Sequence, residues 1–257
     1  MPESARPGVT TDRLLGGRMV LRQAEKGHRA GTDAVLLAAA APLACGLIVD
    51  AGAGAGAAGI AAALRMPGAS LELLEIDPSA CALARENLAA NGLSQRGRAI
   101  EIDLLSARAR RAADVADGRA ELVLTNPPFH EPGRVRATPD MAKRQAHVLS
   151  AEGKDPLEAW MRAATALACA GGQVLVIYRA DRLDALLAAC AGRLGGLSVL
   201  PIHARAGEPA IRVLVGGRKG SRAPLRLCAG LILHRQDGAF TELADALHRG
   251  EAILAGF

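Results

Sequence analysis

The sequence predicts an α/β protein built on a doubly wound, mostly parallel sheet. Apolar runs of strand length alternate along the chain with alanine- and leucine-rich runs of helix length, the pattern of successive βαβ units. Four of the strands end on a polar residue able to bind or react: Asp50, Glu75, Asp103 and Asn126. A chain of 257 residues can bury one sizeable core. The expectation is one domain over 1–257, with an N-terminal extension over about 1–31 and a mobile loop over about 130–153.

Each element follows from local signals. Residues 1–12 read as a loose tail, and Leu15 to Arg22 as a short hairpin. Thr32 is placed as the N-cap of a helix from Asp33 through Ala38, which Pro42 stops. Gly46 to Asp50 is a buried strand, followed by a glycine run and a helix from about Ala57 to Arg65. Ser70 to Glu75 is the second strand. Pro78 to Asn91 is a helix, with Gly92 free to take the left-handed conformation after its end. Ala99 to Ile102 is the third strand, and 106–119 is arginine-rich and helical or irregular. Glu121 to Leu124 is the fourth. Residues 130–153 hold many charges and few apolar anchors, so they read as a long functional loop. Then come a helix (Leu157 to Ala170), a strand (Gly172 to Tyr178) and a helix (Asp181 to Ala191). Strands Leu197 to His203, Ile211 to Gly216 and Arg226 to His234 precede a closing helix, Thr241 to Arg249.

Composition narrows the classes. Cys45, Cys81, Cys169, Cys190 and Cys228 are scattered without C-x-x-C spacing, which argues against zinc and for reduced core thiols. Met1 to Arg18 contains no apolar signal-peptide core. The longest charge-free run, Ala34 to Val49, is broken by Pro42 and too short to span a bilayer. A cytoplasmic protein with no membrane association and no metal is therefore expected. The net charge of +5 points towards a polyanionic partner. Aromatic residues make up only 2% of the chain, so Phe129 stands out where it follows two prolines.

The strand ends carry the chemistry. Asn126-Pro127-Pro128-Phe129 follows the fourth strand. Neither proline can donate to a ladder, and Pro127 biases Asn126 towards an extended conformation. The corner presents an amide, a carbonyl released from pairing and a flat ring, which suits a planar group bearing an NH2. For Asn-Pro-Pro alone, a proline-rich turn is an equal reading. Asp50-Ala51-Gly52-Ala53-Gly54-Ala55-Gly56 lies between strand and helix, where glycines permit a tight turn and close backbone approach to a ligand. Gly54 to Gly59 also fits G-x-G-x-x-G, the dinucleotide fingerprint. Glu75 suits ribose hydroxyls in either case.

Asn126 to Phe129 resembles the [DNS]-P-P-[FYW] motif of S-adenosylmethionine-dependent methyltransferases that modify exocyclic or amide nitrogens. Asp50 to Gly56 likewise resembles the first motif of class I methyltransferases, which implies a Rossmann-like, seven-stranded sheet. The resemblance implies that Asn126 and Pro127 accept hydrogen bonds from the target nitrogen and that Phe129 stacks on its plane. It places Asp50 near the methionine amine, Gly52, Gly54 and Gly56 beneath the methionine part, and Glu75 on the ribose. Asp103 would accept from the adenine amino group, with Ile76 and Leu104 sandwiching the adenine. Catalysis would then be mostly orientation, and Asn-Pro-Pro-Phe favours methyl over hydride transfer.

Two further segments narrow the resemblance. Asp12 to Arg18 with Gly27 to Leu37, and Tyr178 to Leu183 with Gly217 to Leu225, look like the tRNA1(Val) adenine-37 N6-methyltransferase family. The implied partner is RNA, tRNA first. Arg134, Arg136, Lys143 and Arg144 form one basic cluster, and Arg218 and Lys219, with Arg222 and Arg226, a second. Either could meet phosphates or be solvated surface charge. Thr32 could touch the cofactor; His130 and His147 lie near the motif without an assigned role. The alternatives are a ribosomal-RNA guanine-N2 methyltransferase, a protein-glutamine methyltransferase and a non-catalytic RNA-binding protein with a retained cofactor pocket.

Overall fold

The chain enters through an antiparallel hairpin, β1 (Val9–Leu14) and β2 (Met19–Ala24), that stands outside the main sheet. Helix α1 (Thr32–Ala39) leads to β3 (Leu47–Ala51), α2 (Ala57–Arg65), β4 (Ser70–Glu75), α3 (Pro78–Ala90), β5 (Gly97–Glu101), α4 (Ala107–Ala112) and β6 (Ala120–Thr125). There follow α5 (Pro156–Leu167), β7 (Ala168–Arg179), α6 (Leu183–Cys190), β8 (Leu194–Arg205) and β9 (Ala210–Lys219). Two short strands, β10 (Arg226–Leu227) and β11 (Leu231–His234), precede α7 (Glu242–His248). This computed structural model describes residues 8–26, 29–43, 45–128, 155–254 and 256.

The order across the main sheet is β10-β8-β9-β7-β6-β3-β4-β5, with β11 also paired to β8. Only β9 runs against its neighbours. The expected seven strands are β3 to β9, and β10 and β11 lengthen one edge in parallel with β8. The single strand expected over Arg226 to His234 is thus two. The chain breaks where Gly230 presses on His203, 2.8 Å from the position a Cβ would take.

Alternation with period two fills both faces. Leu122, Leu124, Leu175 and Ile177 join one core with Leu36 of α1, Ile60 of α2 and Leu88 of α3. Val123, Val174 and Val176 join the other with Met161 of α5 and Leu186 of α6. Helix α2 is buried almost entirely through alanines, and Gly59 brings it so close that a Cβ there would lie 2.6 Å from Leu73. Helix α3 is capped by Asp77, whose carboxylate accepts from the Ser79 and Ala80 amides, with Pro78 in its first turn. Gly92 follows it at φ +70°, and the Leu93 amide donates back to Leu88, as expected.

Two N-terminal expectations are corrected. Val9 to Asp12 belong to β1 rather than to a tail, because the Asp12 carboxylate accepts from Gln23 and Arg29 and so satisfies a strand with few apolar residues. Gly31, not Thr32, caps α1. The Thr32 hydroxyl lies 3.1 Å from His248 Nε2, tying α1 to α7. The hairpin is fixed by two asparagines of α3. Fully buried Asn87 bonds both the amide and the carbonyl of Arg22, and Asn91 does the same for Val20.

Candidate active site

Parallel strands place their carboxyl ends along one edge of the sheet, here called the front. Asp50, Glu75, Asp103 and Asn126 all sit there, at or just beyond the ends of β3, β4, β5 and β6. After β3 the chain turns through Gly52, Gly54 and Gly56 at φ of +77°, +56° and +88°. The Gly52 and Ala53 amides both donate to the Leu74 carbonyl at 2.9 Å, and so close the turn against β4. A Cβ on Gly54 would meet nothing within 4 Å, so the loop opens there onto free space. Gly52 is the opposite case. A Cβ there would lie 2.7 Å from the Trp160 ring, so only glycine fits beneath it.

Glu75 fastens this loop. Its Oε2 accepts from the Gly54 amide at 2.7 Å, and its Oε1 from the Ile76 and Asp77 amides at 2.8 Å. A carboxylate has about four acceptor positions, so one remains for a hydroxyl ligand. Asp103 is held similarly, its Oδ1 accepting from Leu105 at 2.9 Å. Leu104 beside it is buried and Ile76 half-buried. Arg110, itself buried, donates to the Leu104 carbonyl and to Asp117, which fixes the turn carrying Leu104.

Asp50 is 3% exposed and accepts one hydrogen bond, from the Gly59 amide at 2.8 Å. Burial pushes its carboxyl up to about 7; the Gly59 amide opposes the shift and the Glu75 charge adds to it. A buried carboxyl that ionises when a cation comes beside it suits an amine ligand.

The β6 corner carries the most telling atom. Asn126 Oδ1 is buried and has no hydrogen-bond partner among the described residues, one of three such atoms with Arg65 Nη2 and Thr165 Oγ1. A buried unsatisfied acceptor costs about 1–3 kcal/mol, so its retention calls for a ligand that donates. Pro127 is buried and Pro128 half-buried beside it. Thr125, fully buried, donates its hydroxyl to the Ala51 carbonyl at 2.8 Å and accepts the Trp160 Nε1–H at 2.9 Å. Sequence reading missed Trp160, which lies 35 residues beyond Thr125 on α5; its being the chain's single tryptophan was the one available signal. It also missed Asn87, whose amide donates to the Ala55 carbonyl of the glycine loop at 2.9 Å.

The remaining expected residues divide. Phe129, Arg134, Arg136, Lys143 and Arg144, with His130 and His147, lie outside the described residues. Arg218 and Lys219 are not brought to this site. Arg218 pairs with Gln173, level with Leu122 near the start of β6, whereas Arg179, at the end of β7, pairs with Arg212. Arg218 donates to the Gly171 carbonyl, and Lys219 to the Ala166 and Ala168 carbonyls at the end of α5. The front edge instead carries Arg179, Arg182, Arg205 and Arg212, each ion-paired with an acid: Asp181, Asp155, Glu208 and Asp33. Among the described residues no group of three ligands could hold a metal, and no helix is long and apolar enough to cross a membrane.

Comparison with known proteins agrees with this geometry. The family model described as methyltransferase small domain matches residues 26–187. A release factor glutamine methyltransferase of Chlorobaculum tepidum is 40% identical over 82 residues, which cover 32% of this chain and 27% of that one. A tRNA1(Val) (adenine(37)-N6)-methyltransferase of Porphyromonas gingivalis is 31% identical over 191 residues, 69% of each chain. This chain thus spans about a quarter of the first relative and two thirds of the second. A solved structure from Agrobacterium tumefaciens, described as a predicted O-methyltransferase, superposes with a TM-score of 0.71 at 36% identity, covering 86% of this chain and 97% of that one. The sheet is that of a Rossmann-like class I methyltransferase, and the chain belongs to the methyltransferase small-domain family.

Proposed function

We propose that this chain is an S-adenosylmethionine-dependent N-methyltransferase that modifies N6 of an adenine in the anticodon region of a tRNA. The observation that carries this reading is the buried Asn126 Oδ1 beside Pro127, without a partner among the described residues, an acceptor where a target hydrogen would arrive.

The residues present fit the cofactor. Asp50 would take the cationic amine, the opening at Gly54 the methionine part, the remaining acceptor position of Glu75 a ribose hydroxyl, and Ile76, Asp103 and Leu104 the adenine. When bound, the cofactor supplies an electrophilic methyl group on a sulfonium. This chain's own task is then to hold the nucleophile. An aromatic amine is a weak nucleophile because its lone pair is delocalised. Asn126 Oδ1 and the Pro127 carbonyl would accept its two hydrogens, favouring a pyramidal nitrogen with the lone pair aimed along the transfer line. Fixing that geometry is where most of the rate comes from. No strong base is required, since the nitrogen becomes acidic only after methylation, and its proton then leaves to water.

Two acceptors suit an NH2, with two hydrogens, better than a hydroxyl with one, which favours N- over O-methylation. The likeness to the Porphyromonas gingivalis enzyme, over 69% of each chain, supports tRNA, a cytoplasmic substrate. An adenine in an anticodon loop is already partly unpaired, so presenting it to the corner costs little. On this reading Phe129 stacks on the target, and Arg134, Arg136, Lys143 and Arg144 meet nearby phosphates. The Chlorobaculum tepidum likeness supports a second reading, an amide-nitrogen target, because the same acceptors suit it.

The test is radiolabelled methyl transfer to total tRNA from a strain lacking this protein, read by nucleoside mass spectrometry. N6-methyladenosine in one tRNA is the expected result. Label in ribosomal RNA or release factor instead would overturn the tRNA assignment and leave the cofactor site standing.

A further inference from the structure

We propose that Trp160 and Thr125 form a positioning relay that sets the Asn126 corner against the cofactor loop, and that Trp160 senses occupancy of that loop. The proposal rests on the methyl-transfer reading given above. Thr125 immediately precedes Asn126, and its ladder partner on β3 is Ala51, between Asp50 and Gly52. One buried hydroxyl therefore joins both halves of the site. It donates to the Ala51 carbonyl at 2.8 Å and accepts from Trp160 Nε1 at 2.9 Å. The Trp160 ring also covers Gly52, with Cζ2 and Cη2 2.7 and 2.8 Å from the place a Cβ would take. Helix α5 thus touches the glycine turn through the Trp160 ring, and Thr125, next to Asn126, through the indole N–H.

Satisfying a buried threonine would need only the Ala51 carbonyl. The second bond, from a side chain that also roofs the glycine turn, fixes the direction of the hydroxyl and hence the register between the two strand ends. A ligand seated on Gly52 to Gly56 changes what lies beneath the indole. Any shift of the ring is passed to the residue next to Asn126. Because reaction rate is sensitive to misplacement well below the size of an atom, the relay acts on transfer more than on binding.

The single tryptophan makes this measurable in the intact chain. S-adenosylhomocysteine, which binds without reacting, is titrated while Trp160 emission is followed, and its affinity is measured independently by calorimetry. Single-turnover transfer is then compared for Trp160→Phe, which keeps the ring and removes the donor, Thr125→Val, which removes the hydroxyl, and Thr125→Ser, which keeps it. We expect emission to change with occupancy, and the affinity of both Trp160→Phe and Thr125→Val to stay within about fivefold, the size of one hydrogen bond. Transfer should fall roughly ten- to a hundredfold in Thr125→Val and recover in Thr125→Ser. The double variant Trp160→Phe/Thr125→Val should be no slower than Thr125→Val alone, since both cut one connection.

An unchanged emission at saturating ligand overturns the sensing role. Transfer losses that merely track affinity or melting temperature, or that add in the double variant, overturn the positioning role. Should Thr125→Val fail to fold, Thr125→Ser and Trp160→Phe decide by the same criteria. Wild-type protein that binds S-adenosylhomocysteine but methylates no tRNA would count against the proposed substrate, and the emission result would still stand or fall by itself.

Discussion

The front and rear edges of the sheet use similar residue types for different work. At the rear, where α1, α2, α5 and α6 end, cations donate to helix carbonyls. Arg65 reaches Ala38, Arg96 reaches Ala63, Met66 and Ala69, Lys219 reaches Ala166 and Ala168, and Arg193 reaches Ala189. Apart from Ala69, which lies in the turn before β4, these carbonyls lie at or just beyond the C-terminal, negative ends of helices. Basic side chains complement the dipole there, even though several of the carbonyls also accept a backbone amide. At the front, polar groups are left wanting. Among the described residues Asn126 Oδ1 has no partner, and Asp50 is buried with one amide. The rear is bonded mostly within the fold, although Arg65 Nη2 and Thr165 Oγ1 there also lack partners among the described residues. The unpaired front group, Asn126 Oδ1, lies instead at the strand-end corner, where a ligand could complete it. Part of the chain's net positive charge is therefore structural, and charge composition alone is a poor guide to an RNA partner.

The contrast can be broken by substitutions on each edge. The largest effect is expected from Asn126→Ala. Removing a preorganised group at the reacting centre commonly costs about 10²- to 10³-fold in rate. Cofactor affinity should hold, and a variant with undiminished turnover would take Asn126 out of the site. Asp50 should give a pH signature of comparable energy. Its folded pKa, about 7, lies above the ordinary 3.8, so the folded state holds the extra proton between those values. Stability from this group is fully present below the unfolded pKa and lost as pH rises through 7, on the order of 4 kcal/mol in all. Urea unfolding of ligand-free protein from pH 4 to 8 should show that fall, and Asp50→Asn should flatten it. Equal slopes in both proteins would refute the assignment. Cofactor affinity should move oppositely and tighten through pH 7, because a cationic amine favours the ionised carboxyl.

Gly52→Ala comes next. It places a methyl group against the Trp160 ring at positive φ, which should lower stability by about 2 kcal/mol and weaken cofactor binding. Full affinity would mean that the ring moves aside without consequence. The smallest effects belong to the rear. Lys219→Met should cost about 1 kcal/mol of stability through its lost carbonyl bonds, and Arg218→Ala should leave transfer unchanged. A loss of tRNA affinity in either would return that edge to the substrate surface.

The placing of Asp50, Glu75, Asp103 and Asn126 on one edge was legible because in a parallel sheet the topology itself gathers the strand ends. The central strands β3, β4, β6 and β7 were legible because each is largely an apolar run buried on both faces. Strand β1 was not, since Thr10, Thr11, Asp12 and Arg13 carry no apolar signal and depend on Gln23 and Arg29. Trp160 and Asn87 were missed because each acts across distant segments, and nothing local marks an asparagine in a helix as an anchor. Arg218 and Lys219 looked available for phosphate until the antiparallel direction of β9 placed them at the far edge.

Asn87 also orders events in time. The hairpin leaves the ribosome well before α3, yet an isolated pair of strands is marginal in water. Its anchors, Asn87 and Asn91, arrive about 70 residues later. The same Asn87 amide holds the Ala55 carbonyl, so the glycine loop gains that tether only once α3 has been made. Synthesis thus assembles this pocket late, and a polypeptide interrupted before α3 has neither a docked hairpin nor a finished loop.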